Sequence, residues 1–140
     1  MAIPTHLRLE FVTPDKSLVH DDVDEVGLPG EDGRFGVLPG HAPLLAALGE
    51  GPLWFRKNNV TQWAFVGRGF AEIVSDRVSV LAPVAERAED IDRERAEAAK
   101  RRAEDRLTGP KIDIDFERAR VALLRAVSRL HVVEQARRRS

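Results

Sequence analysis

Between Gly33 and Leu45 the chain reads Gly-Arg-Phe-Gly-Val-Leu-Pro-Gly-His-Ala-Pro-Leu-Leu, and few backbones accommodate such a run. Glycine permits positive φ and close backbone approach, proline fixes φ and removes a donor, and Phe35, Val37, Leu38, Leu44 and Leu45 between them call for burial. The segment therefore predicts tight turns between short strands of a β domain. A phosphate-cradling loop is the sharper alternative, since Gly30, Gly33, Gly36 and Gly40 are regularly spaced. It lacks a closing Gly-Lys-Ser/Thr, and no helical pattern comes after it on which a phosphate could sit.

Alternation extends the β reading on both sides. Leu7, Leu9 and Phe11 share one face from Thr5 to Thr13, with His6, Arg8 and Glu10 on the other. Lys16 to His20 and Val23 to Leu28 are short candidate strands about an acidic turn, Asp21-Asp22. Leu53 to Lys57 and Val60 to Val66 form a hairpin through Asn58-Asn59, and Phe70 to Ser75 and Arg77 to Ala82 form another about Asp76. Short strands punctuated by Gly and Pro predict an antiparallel sandwich or barrel.

Pro83 ends this pattern, and the residues beyond it suit helices. Nine of the ten glycines and seven of the eight prolines lie in residues 1–83, which carry a net charge of −4 against +3 for 84–140. Two modules of opposite architecture and sign are implied, with 84–140 a helical hairpin. Ala88, Ile91, Ala96, Ala99, Ala103 and Leu107 form a narrow stripe, with Asp90 as N-cap and Gly109-Pro110 as the stop. Asp113 or Asp115 caps a second helix with the apolar line Phe116, Ala119, Leu123, Ala126 or Val127, Leu130 and Val133. Alanine-rich faces allow close approach but bury little area, so such a hairpin should dock on something else or detach easily.

Several functions lose support here. Cysteine is absent and the four histidines have no metal-ligand spacing, so neither a metal site nor a thiol nucleophile is expected. No serine sits in a nucleophile elbow, and His41 reads as a loop histidine bonding backbone, so no enzyme active site is assigned. The overall net charge of −1 argues against nucleic acid as a partner. The longest apolar stretch, Ala42 to Leu48, is far short of the roughly 18 residues of a spanning helix, and the first residues do not resemble a signal peptide. A soluble cytoplasmic product without direct membrane insertion is expected.

The helical part carries the best candidate site. Asp92, Arg95 and Arg102 fall on one face of the first helix, and Arg125 and Arg129 share a face of the second. If the hairpin closes, four guanidiniums converge against Asp92 and Glu86, a surplus suited to a polyphosphate that arginine grips bidentately. The alternative is a solvated face bearing ordinary surface ion pairs.

The run Gly33 to Pro43 resembles the signature of the ε subunit of the bacterial F-type ATP synthase, and the resemblance extends over essentially the whole chain. It implies a flattened N-terminal antiparallel β-sandwich (1–83) clamped to the γ subunit and the c-ring, followed by a two-helix hairpin (84–140). It also implies a non-catalytic rotor subunit, held peripherally on the cytoplasmic face of the membrane. The second helix would meet the α/β catalytic subunits and stop ATP hydrolysis, here through Arg118, Arg120, Arg125 and Arg129, with Arg137 to Arg139 adding charge. Ile91-Asp92-Arg93-Glu94-Arg95-Ala96 matches the motif of those ε subunits that bind ATP, which implies a site of Glu86, Ile91, Asp92, Arg95, Arg102, Arg125 and Arg129. ATP would be a regulatory ligand, with no cofactor required. One departure is Gly67-Arg68-Gly69-Phe70, where the family usually shows Gly-Gly before the Phe. A stand-alone adaptor and a nucleic-acid module using the basic helices are the other classes considered.

Overall fold

The computed structural model describes residues 5–109 and 116–138. Eight strands come first: β1 (Leu7–Val12), β2 (Ser17–Val23), β3 (Glu25–Gly30), β4 (Gly33–Val37), β5 (Leu44–Lys57), β6 (Val60–Val74), β7 (Arg77–Leu81) and β8 (Ala85–Arg87). A 3₁₀ turn (Ala88–Asp90) leads into α1 (Arg93–Thr108) and then α2 (Phe116–Arg138).

The strands take the order β2-β1-β7-β6-β5-β3-β4, with β8 also pairing β6. The long hairpin β5–β6 is the spine, closed where Asn58 and Asn59 take φ of 52° and 64°. Along β6 the outer partner changes: Phe70 to Val74 pair with β7, whereas Ala64 to Val66 pair with β8. The change falls at Gly67-Arg68-Gly69, opposite Leu48 to Glu50 of β5, so one hairpin serves both layers of a sandwich. Between the layers, Leu7, Leu9, Phe11, Val26, Leu28, Leu53, Ile73 and Val78 are removed from water. The alternation in β1 reads straight through to its buried face.

The glycine-rich run is hairpin and turn. Gly30 pairs with Gly33 across the β3–β4 turn, Gly36 lies within β4, and Gly40 turns at φ 87°. His41 donates from Nδ1 to the Ala42 carbonyl at 2.6 Å, the expected backbone-bonding loop histidine.

Several local expectations are corrected. Asp21 and Asp22 lie inside β2 rather than in a turn, because each finds a cation: Lys57 at 2.6 Å and Arg8 at 3.2 Å. The Lys57 hydrogen bond holds the Asp21 carboxyl below the usual carboxylate range. Strand β1 pairs β7 in parallel, the exception to an otherwise antiparallel set among the described residues. Pairing also continues past Pro83. Ala85–Arg87 has no strand signature of its own and becomes β8 because β6 offers it an edge.

The start of α1 differs too. Ala88–Asp90 forms the 3₁₀ turn and Ile91 is extended (φ −78°, ψ 125°), so Asp92 rather than Asp90 is the N-cap, accepting the Arg95 amide at 3.1 Å. An Asp92→Ala variant should cost about 1 kcal/mol of local helix stability, read as faster amide exchange in the first turn. Asp92→Asn should restore it; exchange unchanged in Asp92→Ala would remove the cap assignment. Asp113 and Asp115, the expected caps of α2, lie outside the described residues.

Candidate functional site

The two helices lie against one another, and the residues they bury are mostly alanines: Ala96 and Ala103 of α1, Ala119 and Ala126 of α2. Small side chains let the backbones approach closely. Helix α2 also lies on β5 and β6, so it must bury two faces. This double duty explains why Val132 is buried, rather than Val133 alone continuing the line, and why Val127 and Phe116 stay partly exposed.

Where the 3₁₀ turn, α1 and α2 meet, a cleft of 420 Å³ opens. Its charged walls are Glu86, Asp90, Asp92, Arg95, Arg102 and Arg129, over an apolar floor of Val84, Ala96 and Ala99. Arg129 is anchored twice: its Nε donates to Glu86 Oε1 at 2.6 Å, and its guanidinium lies 4.4 Å from the centroid of Phe65. Asp92 is half committed as the cap of α1.

Five of the seven candidate residues therefore gather at one cleft, and two do not. Ile91 precedes α1, its amide bonding the Ala88 carbonyl at 3.2 Å, and does not line the cleft. Arg125 turns away toward Glu50 of β5, with Nε 3.7 Å from Oε1. The expected surplus of four guanidiniums becomes three facing three carboxylates, Asp90 being the addition. The alanine stripe and the i, i+4 spacing of Arg125 and Arg129 held no sign that a sheet carboxylate would claim Arg125. Phe65 beneath Arg129 was equally invisible, since that contact joins residues 64 apart in the chain.

Elsewhere on α2 the basic side chains are engaged. Arg120 grips Glu117 at i, i+3, and that hydrogen bond holds the Glu117 carboxyl below its ordinary range. Arg138 lies 3.5 Å from Glu134. His131 meets Trp63 of β6 edge-on, ring centroids 6.3 Å apart, which ties the last turns of α2 to the sheet. Among the described residues no helix is long and apolar enough to cross a membrane.

Sandwich, docked helix pair and ionic cleft define a two-part scaffold: a rigid sheet carrying a helical hairpin on one side. Residues 6–88 match the family model described as the β-sandwich domain of the ATP synthase delta/epsilon chain, and residues 89–134 match its long α-helix domain. The chain belongs to the ATP synthase delta/epsilon chain family. A relative named ATP synthase epsilon chain, from Nitratidesulfovibrio vulgaris strain DP4, is 52% identical over 126 residues, 90% of this chain and 94% of the relative. Epsilon chains of Syntrophobacter fumaroxidans and Bacillus velezensis are each 46% identical, over 92% and 90% of this chain and 96% of each relative. A chain of the Euglena gracilis mitochondrial ATP synthase (OSCP/F1/c-ring) shares the fold at a TM-score of 0.81 and 22% identity, covering 97% of this chain and 84% of that one. One from the Tetrahymena thermophila central stalk and c-ring does so at 0.56 and 17%, covering 93% and 95%.

Proposed function

We propose that this chain is the non-catalytic central-stalk subunit of a proton-translocating F-type ATP synthase. Its sandwich couples γ to the c-ring, and its hairpin restrains ATP hydrolysis by the α/β subunits. Such a subunit is peripheral, held at the cytoplasmic face of the membrane by its partners. The observation that carries the coupling role is an uncovered apolar patch on the layer of β5, β6 and β7. Phe70 is 58% exposed and pairs across strands with Leu81, 55% exposed; Leu45, 70% exposed, lies on the same face of β5 as Ala47, the other partner of Phe70. Large side chains grouped this way on a rigid sheet mark a surface that a partner covers, and a sheet transmits torque without deforming.

Phe70→Asp should leave the melting temperature within a few degrees of wild type, because more than half of the residue is already in water. It should nonetheless abolish recovery of γ, α and β subunits in a pull-down. Full recovery would take the patch out of the interface, and a wild-type pull-down yielding nucleic acid or unrelated partners would overturn the assignment itself.

For the hairpin, the reading is that ATP occupies the cleft and holds α1 and α2 against the sandwich. Arg95, Arg102 and Arg129 supply forked donors for phosphates, Arg125 joins them by swinging from Glu50, and Ala96, Ala99 and Val84 offer apolar contact. A ligand stabilises whichever state it binds, so ATP withholds the basic α2 from the catalytic head. Calorimetric titration of ATP, with GTP as control, checks this. Saturable binding lost in Arg125→Ala supports the site; no heat at millimolar ATP removes it. An Arg125→Gln Arg129→Gln variant that still inhibits hydrolysis as wild type does would take these arginines out of the inhibitory contact.

A further inference from the structure

Glu50 sits where β5 and β6 pass between layers, with only 7% of its side chain exposed. Two guanidiniums flank it, each measured from Nε to the same Oε1: Arg125 of α2, 31% exposed, at 3.7 Å, and Arg68 of β6, 70% exposed and so partly screened by water, at 4.0 Å. Both distances exceed hydrogen-bond length. Glu50 Oε2 and Arg125 Nε are buried without a hydrogen-bond partner among the described residues. The carboxylate is thus held by charge rather than by bonding geometry, and Arg125 is held with donor capacity unspent.

Arg68 occupies an unusual place. Its φ is +70°, in the left-handed region that glycine fills without strain, and it stands between Gly67 and Gly69. The backbone gains nothing from arginine there; the side chain brings a second cation to Glu50. The cleft begins next door. Glu50 lies opposite Gly67 in the ladder, the Gly67 amide donates to Val84 O at 2.8 Å, and Val84 lines the cleft. Arg125 is one helical turn from Arg129, which also lines it.

We propose that Glu50 and Arg68 set how readily Arg125 is delivered to a polyphosphate in the cleft. Glu50 holds Arg125 away from the ligand, and Arg68 keeps the buried carboxylate compensated once Arg125 leaves. The inference rests on the reading of the cleft as an ATP site. The physical reason for the second cation is the cost of leaving the buried Glu50 carboxylate with no counter-charge; a largely exposed arginine at 4.0 Å offsets part of that cost. With Arg68 in place, Arg125 exchanges one anion for another and Glu50 retains a counter-charge. Neither Glu50 nor Arg68 need touch the ligand; both are positioning residues.

Calorimetric titration of ATP into wild type, Glu50→Gln, Arg68→Gly and the double variant tests this, with circular dichroism melts to show that each folds. Glu50→Gln, which keeps the shape but removes the charge, should bind about tenfold tighter, and Arg68→Gly several-fold weaker. The Arg68→Gly effect should vanish when Glu50 is already Gln, because Arg68 acts only through that carboxylate. If wild type binds but Glu50→Gln binds no tighter, or the Arg68→Gly penalty persists in the double variant, the handover is overturned and the cleft reading stands. If neither wild type nor Glu50→Gln binds ATP, the cleft reading falls and this inference with it. Should Glu50→Gln fail to fold, Arg68→Gly decides alone: unchanged or tighter binding refutes the role given to Arg68.

Discussion

Alanine at Gly69 should destabilise the sandwich by about 3 kcal/mol or more, while alanine at Gly33 should cost about 1–2 kcal/mol. Both glycines have positive φ, 145° and 139°, so both substitutions force an L residue into a backbone region it rarely adopts. They differ in surroundings. A Cβ on Gly69 would stand 2.3 Å from the Leu81 carbonyl oxygen and 3.0 Å from Ala82 Cα, whereas one on Gly33 meets nothing within 4 Å. The obstacle at Gly69 is backbone of a paired strand and cannot rotate aside. Relief requires separating β6 from β7 where the long hairpin changes layers. In thermal melts the Gly69→Ala midpoint should fall by roughly 10–20 °C, the Gly33→Ala midpoint by well under 10 °C. Equal midpoints would mean that the β6–β7 junction yields freely, and that strain alone sets the cost.

The second large effect concerns the hold of the helices on the sheet. Arg129→Ala removes the 2.6 Å contact with Glu86 and the stacking over Phe65 together. The ion pair is partly screened, its side chains 25% and 33% exposed, and contributes well under 1 kcal/mol after that discount. A guanidinium over a buried phenyl ring contributes about 1–2 kcal/mol where water is largely excluded, so docking of α2 should weaken by about 2 kcal/mol. Amide exchange across α2 should quicken by about one to two orders of magnitude. The Trp63 emission should change as His131 withdraws from its edge, while protection in β1 and β7 stays as in wild type. Arg129→Lys should fall between, since lysine keeps the charge but neither stacks as well nor presents a fork. Unchanged exchange in α2 would show that alanine packing alone holds the hairpin down, a result that the small buried area argues against.

The strands of the sandwich are legible in the sequence because their face is set by alternation, a property of neighbours in the chain: Leu7, Leu9 and Phe11 point inward wherever the strand lies. The hairpin at Asn58-Asn59 is legible because positive φ selects its residues locally. The α1 stripe is legible for the same reason, with Ala96 and Ala103 seven residues apart and both buried. Errors cluster where a distant group decides. Asp21 and Asp22 look like a turn until Lys57 and Arg8 pair with them, and Ala85–Arg87 looks like the approach to a helix until β6 supplies an edge.

The candidate site divides along the same line. Glu86, Asp92, Arg95, Arg102 and Arg129 can be gathered from spacing and family resemblance, and the fold does bring these five to one cleft. Arg125 belongs to the same face by the same arithmetic, yet its guanidinium stands against Glu50. Helical spacing specifies which residues share a face, but where a long side chain ends depends on the charges within its reach, and an arginine reaches past a full helical turn.

The residue pattern thus decides the two modules, their order, the inward face of most strands and the faces on which the arginines stand, because each is set by backbone preferences of residues within a few positions of one another. Only the folded chain decides that α2 lies on the sheet, that Asp92 rather than Asp90 caps α1, and that Arg68 accepts a left-handed backbone beside a buried carboxylate. The cap is a local choice, set by the 3₁₀ turn that leaves Ile91 extended, whereas the surroundings of Glu50 come from charges brought together across 18 to 75 positions, in the pairing of Arg68 and Arg125 with Glu50. No local propensity encodes that meeting.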